Sequence, residues 1–159
     1  MTLAGHIAIS GLVMQVIPDP VLMITTNVVL HPLLDSIPHA EWHTFVNEHQ
    51  SRTLAILFTL ADVVFSVCYI WLLVTHLPYT TGLIYLGLFA GIWADLLELL
   101  VSRFWPGFVY WHRYTHSWPE KPTEPIDWSK SLTGRTPTWV KLSIQFILIV
   151  GPLALLLRT

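Results

Sequence analysis

The feature that most constrains this chain is residues 53–75, where Asp62 is the only charged side chain among 23 residues. A helix needs about 20 mainly apolar residues to cross the hydrocarbon core of a bilayer. In lipid, only helices and closed barrels can satisfy their own backbone polar groups. Residues 80–103 and 139–157 repeat the apolar pattern, and the turn between the first two runs is the short segment 76–78. Gly82, Gly87 and Gly91 lie in the second run, and small residues of this kind let helices approach closely in lipid. Composition agrees: 11% of residues are charged and the mean hydropathy is +0.59, against about 25% charged in ordinary soluble domains. The sequence therefore predicts an all-α, polytopic membrane helical bundle forming one integral domain over residues 1–159.

Ahead of the three clear transmembrane helices lie two shorter apolar pieces, residues 3–17 and 21–34, separated by Pro18-Asp19-Pro20. Two prolines around an aspartate make a tight stop. The pieces predict an N-terminal hairpin (3–34) of two shorter apolar helices, either tilted or re-entrant. Residues 35–52 are polar and read as an interfacial segment. Residues 104–138 carry Trp105, Trp111, Trp118 and Trp128, and tryptophan concentrates where membrane meets water. That stretch reads as an interfacial loop with one short helix across 112–116.

Several function classes are disfavoured. A formal net charge of -2 gives no sign of nucleic-acid binding. The single cysteine, Cys68, excludes a disulfide framework or a cysteine-based zinc site. No basic n-region or small-residue cleavage site precedes the first apolar piece, so no removable signal peptide is expected. No Gly-rich phosphate loop or GxSxG elbow is present.

Polar chemistry is concentrated instead. Residues 31–43 hold three histidines, an aspartate and a glutamate, the side chains that bind borderline and hard divalent metals. His31, Asp35 and His39 are spaced i, i+4, i+8, one helical face if the helix continues. Pro32 suits a first turn, whereas Pro38 argues for an end near Ser36, with His39 folding back beside the other two. The competing reading is an interfacial segment whose polar groups meet headgroups and water. His112 and His116 are a second pair at i, i+4, able to grip one metal from a helix. Asp95 and Glu98 sit in the second apolar run; Asp95 lies about 12 Å of helix rise from Arg103, deep for a surface charge. Asp95 reads as a bridging carboxylate or as the group orienting a ligating histidine; the competing reading is a salt bridge to Arg103 or Arg113, which Glu98 could satisfy but Asp95 less easily. Asp62, about 15 Å of rise from Arg52, reads as structural, hydrogen-bonded to Ser66, Thr59 or Gln145, with a proton or ion path as the other reading. His43 stays open, and His49 reads as exposed.

Orientation follows from the basic residues. Arg103, Arg113, Lys121, Lys130, Arg135 and Lys141 flank or lie in the loop between the last two apolar runs, which the positive-inside rule places in the cytoplasm. That topology gathers His6, His31, Asp35, His39, His43, Asp95, Glu98, His112 and His116 at the cytoplasmic side.

Three elements together, His6, the hairpin leading to His31-x-x-x-Asp35-x-x-x-His39, and His112-Arg113-Tyr114-Thr115-His116-Ser117, carry a family likeness. The chain resembles the YdjM-like membrane-bound metal-dependent hydrolases and small bacterial membrane proteins with an H-x-LLD-x-x-PH core. The likeness spans most of the chain in order. It departs at the HRG-x-THS element: three residues, not four, separate the histidines, and the glycine is absent. The resemblance implies metal ligation by His6, Asp35, His112 and His116 in the bacterial inner membrane.

The expectation is thus a membrane-embedded metal-dependent hydrolase acting on an amphiphilic (phospho)ester, a membrane lipid or lipid-linked substrate, at the cytoplasmic face, with the oligomeric state open. His6, His31, Asp35, His39, Asp95, His112 and His116 are the expected metal ligands. Zinc or manganese is the expected metal, as one ion or two. Glu98 is the expected general base and Arg113 the group that steadies an anion. Two rivals stand beside it. His39-x-x-x-His43 and His112-x-x-x-His116 suggest a membrane di-iron oxygenase or desaturase, with iron as the metal. A non-catalytic metal-binding or transport subunit would bind ions without turnover.

Overall fold

The computed structural model describes residues 1–40, 44–48, 51–117 and 132–158, with the backbone alone for residues 47, 48, 116 and 117. Asp19 marks both a stop and a start. Helix α1 (Leu3–Val16) ends before Pro18, which has no N–H to continue it. Helix α2 (Pro20–Asp35) then opens with proline in its first turn and Asp19 as its cap, the carboxylate accepting from Leu22 N at 2.8 Å.

The long apolar runs form α3 (Arg52–His76), α4 (Thr81–Val101) and α7 (Thr138–Leu156), within two residues of the sequence expectation. Ser51 and Thr80 cap α3 and α4 through their hydroxyls. Between α4 and α7 lie α5 (Pro106–Ser117), longer than the predicted short helix, and the four-residue α6 (Leu132–Arg135). A π-helical turn occupies Thr44–Glu48. No strand occurs among the described residues. The architecture is the predicted all-helical bundle, and α3, α4 and α7 are each long and apolar enough to cross a membrane.

Only 17% of the apolar window of α3 and 22% of that of α7 is buried. Their outer faces carry Val64, Phe65, Trp71 and Phe146, all exposed, as suits helices bathed in lipid tails. Helix α1 is the central element, packed against α2, α3, α4 and α7. Its apolar residues Ile7 and Met14 join Met23, Leu73 and Ile84 in the main core. Helices α1 and α4 pack tightly at Gly91, where a Cβ would lie 1.9 Å from Ser10 Oγ.

At 14 and 16 residues, α1 and α2 are about 21 and 24 Å long, short of a roughly 30 Å hydrocarbon core. The Tyr79 hydroxyl donates to the Met14 carbonyl at 3.0 Å, tying the hairpin's turn to the turn between α3 and α4. At its other end α1 starts beside the middle of α3. There the Asp62 carboxylate accepts from Leu3 N and Ala4 N at 3.1 and 2.9 Å. A carboxylate at a helix N-terminus satisfies donors that have no partner within the helix and complements the helix dipole. Asp62 is structural, as its sequence position suggested, but its partners are the first turn of α1. The Ser66 hydroxyl donates to the Asp62 carbonyl, and Thr59 to that of Ala55.

Candidate metal centre

The buried face of α2 is Met23, Asn27, His31 and Asp35, every fourth residue. Asn27 Nδ2 donates to the Gly87 carbonyl at 3.2 Å and His31 Nδ1 to the Gly91 carbonyl at 2.7 Å, so two α4 glycines anchor that face. Pro32 lies inside α2, in its last turn and not the first. Lacking an N–H, it leaves the carbonyl of Val28, four residues earlier, without its helical donor. The Trp93 indole N–H supplies one, at 3.1 Å. Pro32 and Trp93 together pin α2 to α4 beside His31.

Four side chains from three helices converge there: His31 and Asp35 from α2, Asp95 from α4 and His112 from α5. One ligand atom from each lies within 4.8 Å of every other. His31 Nε2 is 3.0 Å from Asp35 Oδ2, 3.4 Å from His112 Nε2 and 4.0 Å from Asp95 Oδ1. His112 Nε2 is 3.4 Å from Asp35 Oδ2 and 3.5 Å from Asp95 Oδ1. A tetrahedral ion with bonds of about 2.0–2.1 Å has ligand–ligand edges of roughly 3.3–3.4 Å. The five separations bracket that value.

The proton assignments strengthen the fit. A carbonyl oxygen only accepts, so His31 carries its proton on Nδ1, towards Gly91. His112 Nδ1 donates to Glu98 Oε2 at 2.7 Å, a carboxylate–histidine pairing. In their neutral forms both rings then present Nε2 lone pairs towards two carboxylate oxygens. A cation among the four atoms would satisfy all of them at once. This group can hold a metal ion, and its oxygen and imidazole donors suit borderline and hard divalent metals.

No family model, curated protein or solved structure matches this chain. The chemistry is therefore read from the geometry alone: a helical membrane protein with a His/Asp group able to bind a metal.

The remaining expected residues fall outside that four-atom set in informative ways. His6, fully buried in α1, places Nε2 at 2.9 Å from Asp35 Oδ1 and 3.8 Å from Asp95 Oδ2. It stacks on His31 with ring centroids 4.3 Å apart. It stands behind the carboxylates, holding the oxygens that face away from the group. The Met1 amino group also meets Asp35 Oδ1, at 2.5 Å. His39 does not join. Past Ser36 the chain leaves the α2 axis at Pro38, so the i+8 position no longer shares the face of His31 and Asp35. His39 Nδ1 donates to the Ile37 carbonyl at 2.6 Å, and Ala40 N is drawn to Gln145 Oε1 on α7 at 3.3 Å.

Glu98 is placed behind His112, not on its Nε2 side, and its second oxygen accepts from Arg113 Nε at 3.0 Å. The Glu98 carboxylate thus bridges the His112 ring and Arg113, one of the two arginines expected as its salt-bridge partner. The side chain of His116, and all of His43 and His49, lie outside the described residues. Asp95 is the open side of the group, its side chain 39% exposed while those of His31 and Asp35 are wholly buried. Sequence reasoning missed the Gly91 carbonyl and Trp93. A proline four residues after Val28 was the one available signal for the second; nothing in the sequence marked the first.

Proposed function

We propose that the protein is a membrane-embedded metal-dependent hydrolase of an amphiphilic ester or phosphoester, working at the cytoplasmic face of the membrane. The observation that carries this reading is the mixed His/Asp donor set with three buried members, His31, Asp35 and His112, and a fourth, Asp95, that is 39% exposed; three firm protein ligands is the count of a hydrolytic site, and the exposed Asp95 side is where water or substrate would reach the ion. A divalent ion held by His31, Asp35, Asp95 and His112 would lower the pKa of bound water toward about 7 and polarise the oxygen of the scissile group. Zinc and manganese are the metals we favour. Glu98 fixes the His112 tautomer and ring angle. Arg113, 56% exposed, keeps its outer nitrogens available to an anionic group beyond Glu98.

A second ion is part of the reading. His6, Asp35 and Asp95 are the residues that would hold it, in competition with the Met1 amino group now beside Asp35. Bound metal of one per chain would leave His6 as a donor to Asp35.

Metal analysis of the purified protein, followed by assay against lipid esters and phosphoesters in mixed micelles, tests the proposal. Hydrolysis that needs the metal and disappears in Asp35→Asn is the expected result. Bound metal with no turnover of any member of the panel would favour the metal-binding subunit, and bound iron the oxygenase. The histidine-box reading draws less support, since His39 stands apart from the group.

A further inference from the structure

Residues of α3 and α7 line a cavity of about 230 Å³ whose walls include Phe58, Phe65, Leu142, Phe146 and Ile149. An engineered apolar cavity of about 150 Å³ already takes up benzene, so this one has room for a longer hydrocarbon segment. Phe65 and Phe146 are 57% and 66% exposed. The cavity therefore opens sideways, on the outer face of two helices that are each long and apolar enough to span a membrane. Acyl chains are the only solvent at that depth.

One end of the cavity is polar. Thr2, Asp62 and Gln145 line it, and Thr2 is one helical turn before His6, the Thr2 carbonyl accepting from His6 N at 3.1 Å. That turn is about 6 Å of rise. His6 in turn touches Asp35 of the metal-binding group at 2.9 Å. The recess thus runs from the lipid-facing surface to within one turn of α1 of the candidate centre.

We propose that this cavity seats one acyl chain of a bilayer phospholipid, entering between α3 and α7, and so makes a lipid the substrate class of the site. The link to substrate rests on the hydrolase reading; occupancy of the cavity does not.

The protein in phosphatidylcholine vesicles carrying a trace of phosphatidylcholine with a photoactivatable diazirine on its acyl chain provides the test. Photolysis and peptide mapping should label Phe65, Phe146 and Ile149 at least fivefold above Val67 and Trp71, which are as exposed on α3 but outside the cavity. Ala61→Trp or Leu142→Trp, whichever retains wild-type bound metal, should fill the recess and remove that excess. Equal labelling of Val67 and Trp71, or an excess that survives both fillings, would overturn the proposal. Cavity labelling in a protein that hydrolyses no lipid would uphold the acyl site and remove the hydrolase reading alone.

Discussion

His31 Nε2 and His112 Nε2 lie 3.4 Å apart across 81 residues of sequence, each ring held from behind through Nδ1. With both rings neutral, two lone pairs come together with two carboxylates, a donor set that a cation would complete. His31→Ala and His112→Ala should each lower bound metal below a tenth of wild type, measured by elemental mass spectrometry after purification. His39→Ala, outside the group, should leave it unchanged. Equal metal loss in all three would place the site elsewhere.

Glu98 offers a finer test. Its bond to His112 Nδ1 fixes the tautomer without touching the metal position. Loss of such a partner costs about 10–100-fold in metal affinity. Glu98→Gln keeps an acceptor and the shape, so a loss near the lower end is expected, with Glu98→Ala near the upper. Competition against a chelator of known affinity measures both. Affinity unchanged in Glu98→Ala would remove Glu98 from the centre.

The helices, the hairpin and the residues of the group were legible in the sequence because each has a local signature. Apolar length gives α3, α4 and α7. The i, i+4 spacing puts His31 beside Asp35, and depth in an apolar helix marks Asp95. What was not legible depends on how helices meet. His39 shares a periodicity with His31 that holds only while the helix lasts, and Pro38 ends it. Glu98 is a carboxylate near histidines in any reading; only the side of the His112 ring it faces separates a base from a positioning residue. Asp62 had plausible partners on its own helix, and the N-terminus of a helix 58 residues away was not among them.

Asp62 and the start of α1 yield a prediction of their own. Asp62→Leu strips Leu3 N and Ala4 N of their acceptor, and the part-buried Ala4 N then lacks a partner, at a cost of about 1 kcal/mol or more. Asp62→Asn keeps one acceptor oxygen and should be milder. Thermal unfolding in detergent should rank wild type above Asp62→Asn and Asp62→Leu last. Asp62→Leu should also loosen His6 and so weaken metal binding, although Asp62 lies outside the group. If Asp62→Leu unfolds at the wild-type temperature, the carboxylate does not hold α1.

Gly91 combines packing with positioning. A methyl group there would sit 1.9 Å from Ser10 Oγ and 3.1 Å from Ser10 Cβ. Overpacking of this kind costs about 1–3 kcal/mol, and any shift of α4 also moves the carbonyl that orients His31. Gly91→Ala should lower both thermal stability and metal affinity. Adding Ser10→Ala removes the nearer clash and should recover part of each. No recovery would show that the α1–α4 crossing does not set the His31 position.

The Pro32–Trp93 pair allows a test in which one lesion repairs another. In wild type, the Val28 carbonyl receives the Trp93 indole N–H because Pro32 has none to give. Trp93→Phe keeps a ring but leaves that carbonyl without its donor, at a cost of about 1 kcal/mol. Pro32→Ala restores a backbone N–H four residues from Val28, and with it the helical bond. The double variant should therefore be more stable than Trp93→Phe alone, and its coupling energy in a double-mutant cycle should be of the order of 1 kcal/mol. Additive effects would mean that the indole is held by packing only. Because Pro32 lies between His31 and Asp35 on α2, metal affinity should follow the same ranking: reduced in Trp93→Phe and recovered when Pro32→Ala is added.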